Sequence, residues 1–227
     1  MSAILTPKLL DLRSLQTPTG PKKAGPVVRG ALARRDPAIV DALMLHQTAC
    51  TFGVMPYQVH AAGGDALLAQ FLRAKNVHAH ITAFDEGTFC PSYPLMAYVW
   101  HGNGASRRSI GLEIEGLFNG QPGGLGNALV HGSRNRGEPS DLLVETARAA
   151  CTWAVEEAAR EGATLRYIWA HRQFSASRQS DPGWKLWQAV ALDHCEKKLG
   201  LQVQIDLVDR NGRPISTSWD SRSAHPY

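Results

Sequence analysis

Four histidines in this 227-residue chain fall at or near the ends of stretches that read as β-strands: His46, His80, His101 and His171. Strand ends are where an α/β sheet gathers its loops while holding their roots still, so chemistry collects there. His46 and His171 together with Asp181 offer two imidazoles and a carboxylate. That is the ligand set of a catalytic zinc whose fourth position stays open to water. No single-helix HExxH motif is present, so spacing alone leaves other accounts open. Each histidine taken singly reads as a packed structural residue. Asp181-Pro182-Gly183 equally reads as a helix start, with Asp as N-cap and Pro in the first helical position.

The elements that must position these groups follow from the hydrophobic pattern. Residues 39–47 form a near-continuous apolar run, as a central strand buried on both faces requires, ending near His46. Residues 64–75 repeat apolar side chains at helical spacing. An alternating strand over 78–84, a turn at 85–88 and a further extended stretch at 89–93 come next. Residues 98–100 read as a short strand before His101. In the strand 109–116, Ile110, Leu112 and Ile114 alternate with Glu113 and Glu115, which places the two carboxylates on one face. The Gly- and Asn-rich stretch 117–137, with Arg134 and Arg136, reads as a surface loop forming one wall of a groove. A long helix runs from Pro139-Ser140 to Gly162, and a strand over 167–171 leads to His171. A second amphipathic helix runs from Asp181-Pro182-Gly183 to Leu199, with Gly200 as its C-cap. Residues 201–207 alternate as a strand, followed by an Asn211-Gly212 turn.

Strands and helices interleave, so the expected class is α/β: a single domain with a mixed central sheet flanked by helices. The expected organisation is an arm or tail over residues 1–36, rich in Pro and Gly, a main domain over 37–200, and a C-terminal extension over 201–227. With 44% hydrophobic residues the chain can build one substantial core, and its formal charge of +4 suits an anionic polymer, nucleic acid or wall polymer, without demanding one. The four cysteines stand singly with no CxxC pair, as reduced buried thiols do. No apolar run approaches a membrane span and no signal-peptide core follows the N-terminus. The expectation is a soluble protein made in the cytosol, without membrane insertion, whose export would need another route.

His46-Gln-Thr-Ala, His78-Ala-His-Ile, Trp100-His-Gly, Ser109-Ile-Gly-Leu-Glu-Ile-Glu-Gly and Ala170-His-Arg with Ser180-Asp-Pro-Gly carry a resemblance. In this order they resemble the motifs of the zinc-dependent N-acetylmuramoyl-L-alanine amidases, a superfamily that also holds phage endolysins and the peptidoglycan recognition proteins. The resemblance covers residues 37–199. It implies a twisted mixed sheet with a zinc (Zn2+) groove on one face, and His46, His171 and Asp181 as the three ligands. It further implies Glu113 as the general base, in the branch that uses Asp as third ligand. Other branches place a tyrosine where Ala79 stands here, which agrees with a role for Glu113.

One position departs from the family pattern. A lysine usually stands two residues before the third ligand, to stabilise the oxyanion; here Gln179 occupies it with Arg178 beside it, leaving the two as rival donors. The implied substrate is the amide between the lactyl group of N-acetylmuramic acid and L-alanine, in peptidoglycan or muropeptides of the bacterial cell wall. The chain is expected to act as a monomer and not on nucleic acid. His80, His101 and Trp100 are expected at the substrate, the two histidines alternatively orienting ligands. Trp184 is a further candidate for stacking on a sugar ring, and Trp187 belongs to the helix core. Glu115 reads as structural or as a rim carboxylate. Arg107-Arg108 reads as a contact for substrate carboxylates or as plain solvated surface. The alternatives are a peptidoglycan-binding module without turnover and an amidase for a different amide.

Overall fold

A computed structural model describes residues 6–14, 24–50, 52, 56–120, 137–175, 178, 180–204 and 206–208. Its strands are β1 (Lys8–Leu9), β2 (Val27–Val28), β3 (Ala31–Leu32), β4 (Ala42–Gln47), β5 (Ile81–Ala83), β6 (Thr88–Pro91), β7 (Ser109–Ile114), β8 (Tyr167–Ala170) and β9 (Gln202–Val203). Seven of them form one sheet in the order β1-β6-β5-β7-β4-β8-β9, while β2 and β3 make a separate antiparallel hairpin. Within the sheet only β5 and β6 pair antiparallel. The architecture is the mixed sheet flanked by helices that the residue pattern implies.

β4 lies at the centre because its sequence leaves it nowhere else to go: Ala42, Leu43, Met44, Leu45 and His46 are all 0% exposed. It starts later than the apolar run suggests. Asp36 caps a 3-10 turn over Pro37–Ile39 by accepting from Ala38 N–H, and proline at the turn's start favours that geometry over a strand. Register then places the chemistry. His46 stands opposite Glu113 across the β4–β7 ladder, and Leu45 stands opposite Ala170 across the β4–β8 ladder. Three parallel strands therefore end side by side, delivering His46, Glu113 and His171 to the C-terminal ends of the central strands.

Alternation along these strands separates two packing faces. Leu43, Leu45, Ile110, Leu112, Ile114 and Ile168 face the main core beneath the helices. Met44, Trp169 and Phe174 form the smaller cluster on the opposite face, the one that His46 and Glu113 share by period. The helices are α1 (Pro56–Ala61), α2 (Ala66–Ala74), α3 (Asp141–Arg160) and α4 (Trp184–Leu186), which continues as a π-helix over Trp187–Glu196. Ser140 Oγ accepts from Leu143 N–H at 3.1 Å to cap α3, and Leu143, Ala147, Ala150, Ala154 and Ala158 are its fully buried stripe.

Several expected elements take another form. Residues 98–100 make no strand. Tyr98 N–H bonds Ala33 O and Trp100 N–H bonds Ala24 O, with a single bridge between Arg34 and Ala97, so the partner of this stretch is the N-terminal segment rather than the sheet. In that segment, β1 pairs with β6 and Arg13 reaches Glu157 on α3 at 2.7 Å. Among the described residues of 201–207, only Gln202–Val203 pairs as a strand. Arg134, Arg136 and the Asn211-Gly212 turn lie outside the described residues. The cysteines are free, with Cys90, Cys151 and Cys195 buried and Cys50 half-buried. No helix among the described residues is long and apolar enough to cross a membrane.

Candidate metal centre

His46 is fixed by the sheet and His171 by the turn that follows β8. The 3-10 turn His171–Phe174 is held by Gln173, whose Oε1 accepts from Ala170 N–H at 2.7 Å. Asp181 arrives from the loop before α4, and it is not a helix cap. The cap of α4 is Gly183 at φ 108°, where a Cβ would come within 2.7 Å of Phe118 Cβ. Asp181 is thus released for other work. Its Oδ1 accepts from Gln47 N–H at 2.9 Å, and Gln47 Nε2 donates to Ser180 Oγ at 3.0 Å while its Oε1 accepts from Phe118 N–H at 2.7 Å. Gln47, a residue that local sequence gave no reason to single out, ties the loop to the strand that carries His46.

The result is a three-donor cluster, the one such group of His, Cys, Asp or Glu among the described residues. The donor atoms of His46, His171 and Asp181 all lie within 4.8 Å of one another. His46 Nδ1 and His171 Nδ1 are 2.9 Å apart, and His171 Nδ1 is 3.0 Å from Asp181 Oδ2. Burial first, then the neighbouring His171 and His101, hold His46 well below the usual imidazole range, so it offers a lone pair at neutral pH. A ligating imidazole must be neutral, and His46 meets that condition. Atoms bound at about 2.0–2.1 Å to a tetrahedral ion sit about 3.3 Å apart, so the two close pairs would open by a few tenths of an ångström around a divalent cation, and the third lies within the same 4.8 Å sphere of donors.

Glu113 stands beside this cluster. Its Oε2 is shielded from solvent and has no hydrogen-bond partner among the described residues. Burial raises its pKa to about 8, the Asp181 charge adds to the rise and Arg178 opposes it. A carboxyl group balanced near neutrality, unpaired and facing a metal-type cluster, is equipped to take up and return a proton. Glu115 has a different fate. β7 ends at Ile114, and Glu115, 3% exposed, accepts from Phe52 N–H at 2.9 Å and Asp85 N–H at 3.1 Å, so it ties two loops together away from the site.

Two adjoining clefts of about 420 and 320 Å3 run over the cluster. Trp100, 52% exposed, His101, His171 and Arg178 line both, and Asn76, Val77 and His78 form a wall at the junction between the helix and the strand that the sequence pattern marks out. Arg178 is exposed at the groove, whereas Gln179 lies outside the described residues. His80 does not reach the groove. It is 0% exposed, its Nδ1 accepts from Gly111 N–H at 3.0 Å and its Nε2 lies 2.9 Å from Ala97 O, so it is a packing residue behind His101. Burial, then the Arg35 guanidinium, hold it well below the usual imidazole range. Trp184 is also engaged elsewhere, donating to Glu138 Oε1 at 2.9 Å, and Trp187 is in the core as expected. Arg108 is not plain solvated surface: it pairs with Asp41 at 2.7 Å and lies over the Trp169 ring at 5.3 Å.

A model of the N-acetylmuramoyl-L-alanine amidase family matches residues 35–184. Among solved structures, Drosophila PGRP-LB is similar at a TM-score of 0.52 and 11% identity, covering 89% of this chain and 100% of that one. PGRP-SA from bumblebee gives 0.51 at 14% identity, covering 82% of this chain and 95% of that one. The N-acetylmuramoyl-L-alanine amidase LysC from Clostridium intestinale URNW gives 0.49 at 16%, covering 87% and 100%. At these identities the two PGRP structures speak to the fold alone. No curated protein sequence matches significantly.

Proposed function

The chain belongs to the N-acetylmuramoyl-L-alanine amidase family, and from that premise we propose that it is a zinc-dependent hydrolase of the amide between the N-acetylmuramic acid lactyl group and L-alanine. The observation that carries this reading is the convergence of His46, His171 and Asp181 beside the unpartnered carboxyl of Glu113. Held by those three residues, zinc supplies a Lewis acid for a poorly electrophilic carbonyl and makes water acidic enough to attack near neutral pH. Glu113 Oε2 takes the proton that the attacking water loses and returns it to the leaving nitrogen of L-alanine. The products are a lactyl carboxylate and a free amine, with one water consumed. Arg178, which lines both clefts, would meet the carbonyl oxygen as it gains charge, with Gln179 as the rival donor; loss of such a donor costs about 100-fold in rate. Trp100, exposed on the rim, offers its face to a sugar ring.

A point mutant of Drosophila PGRP-LB, similar in fold, is solved in complex with tracheal cytotoxin, which supports trying muropeptide monomers beside intact wall. The deciding experiment incubates the zinc-loaded protein with purified peptidoglycan and with muropeptides and identifies products by mass. Release of stem peptides beginning with free L-alanine is expected. Tight binding without release would instead favour a recognition module, the second reading, for which Gln179 in place of the usual lysine is the specific observation.

A further inference from the structure

We propose that His101 is a positioning residue that fixes which nitrogen of His46 presents its lone pair to the metal; the inference rests on the zinc amidase reading above. A backbone carbonyl only accepts. Ser109 O lies 3.1 Å from His101 Nε2, and Ser109 Oγ, 3.4 Å from the same nitrogen, spends its hydrogen on Ala105 O at 2.8 Å. Two acceptors thus face His101 Nε2, which therefore carries the ring's hydrogen. No carboxylate among the described residues bonds to this ring, so it is neutral and its Nδ1 holds a lone pair. That lone pair faces His46 Nε2 at 3.0 Å, making His46 Nε2 the donor of the pair. His46 Nδ1 is left unprotonated, and it is the atom 2.9 Å from His171 Nδ1 in the three-donor cluster.

The ring of His101 is not free to choose otherwise. A Cβ on Gly111 would come within 2.6 Å of its Cγ, so the glycine in β7 is what lets the imidazole lie flat across the strand. On its far side His80 closes edge-on at 5.4 Å between ring centroids, and His46 meets it edge-on at 5.2 Å. Ser106 Oγ accepts from both His101 N–H, at 3.0 Å, and Gly102 N–H, at 2.8 Å, which anchors the backbone. The sequence Trp100-His-Gly followed by Ser109-Ile-Gly thereby acquires a shared purpose: the first supplies the ring, and the second supplies the carbonyl and the space. Both ring nitrogens point inward, so His101 borders the groove without spending a hydrogen bond on what occupies it.

The test titrates zinc alone, against a chromophoric chelator, into the full-length wild type, His101→Phe and His101→Gln, alongside nitrogen-15 imidazole spectra of the metal-free proteins. Outer partners of a ligating histidine typically govern about 10- to 100-fold in metal affinity, so His101→Phe should lose that much while melting cooperatively. His101→Gln keeps an acceptor and a donor and should recover part of the loss. The metal-free wild type should show His46 protonated at Nε2. Wild-type zinc affinity in His101→Phe, a glutamine variant no better than phenylalanine, or His46 protonated at Nδ1 would each overturn the proposal. Should His101→Phe fail to fold, the wild-type spectrum alone decides. Absence of zinc binding by the wild type would sink the amidase reading instead, and the His46 spectrum would still judge this one.

Discussion

Glu113 is where the chemistry is most exposed to test at the scale of a single residue. Glu113→Gln removes the proposed proton acceptor but none of the three proposed zinc donors, so zinc content should stay at the wild-type level while turnover falls by about 100- to 10,000-fold. Metal analysis and product release measured on one preparation check both halves. His80 allows a second prediction, of sign rather than catalysis. Its folded pKa lies well below the usual 6.5, because a buried cation beside Arg35 is disfavoured. The unfolded chain therefore takes up the proton first as pH falls. The contribution of neutral His80 is fully present above pH 6.5 and is lost below it, at up to about 1.4 kcal/mol per pH unit. Denaturant unfolding between pH 4.5 and 6.5 should show a shallower pH dependence in His80→Asn than in the wild type. Of the site's residues, His46, His171 and Asp181 were legible because they sit in motifs. Gln47 stands in the His46 motif too, but its role was not legible, because a polar residue at a strand end declares nothing about the loop that folds back onto it.

Elements were legible where burial acts on a regular repeat, and obscure where a distant segment decides. β4 and α3 announce themselves through an unbroken apolar run and a helical stripe capped by Ser140. Replacing that cap by alanine should cost about 1 kcal/mol, read as a lowered melting midpoint with zinc affinity unchanged. Residues 98–100 look like a strand on their own, yet their hydrogen bonds go to Ala24 and Ala33, and nothing local could reveal that. The two residues of β1 are both exposed and too few to show a period. The reading of Asp181 as a helix cap failed for a related reason: whether a carboxylate caps or ligates depends on where the backbone turns, and here Gly183 takes the turn.

For the molecule as a whole, the metal should be a structural partner as well as a reagent, since its three donors come from β4, the end of β8 and the loop before α4. Binding to the folded state alone stabilises by RT ln(1 + [L]/Kd), about 4 kcal/mol at a thousandfold excess over Kd. Thermal melting should therefore shift upward with added zinc and fall back with chelator, and Asp181→Ala should abolish the shift. The interleaved fold class was legible from the order of strands and helices. The groove walls were not, because Asn76, Val77 and Trp100 meet only after the sheet has brought distant loops together.

The short pairing of Lys8–Leu9 along β6 has a consequence for solubility. An open sheet ends in a row of unsatisfied amides and carbonyls that will recruit any passing strand. Here residues 8–12 occupy that row, pinned by Arg13 to Glu157 and over Trp153 at 5.3 Å. A variant lacking residues 1–13 keeps every group at the metal centre and should still bind zinc. It should also self-associate with rising concentration in light scattering, because residues 8–12 are the ones that cover this side of β6.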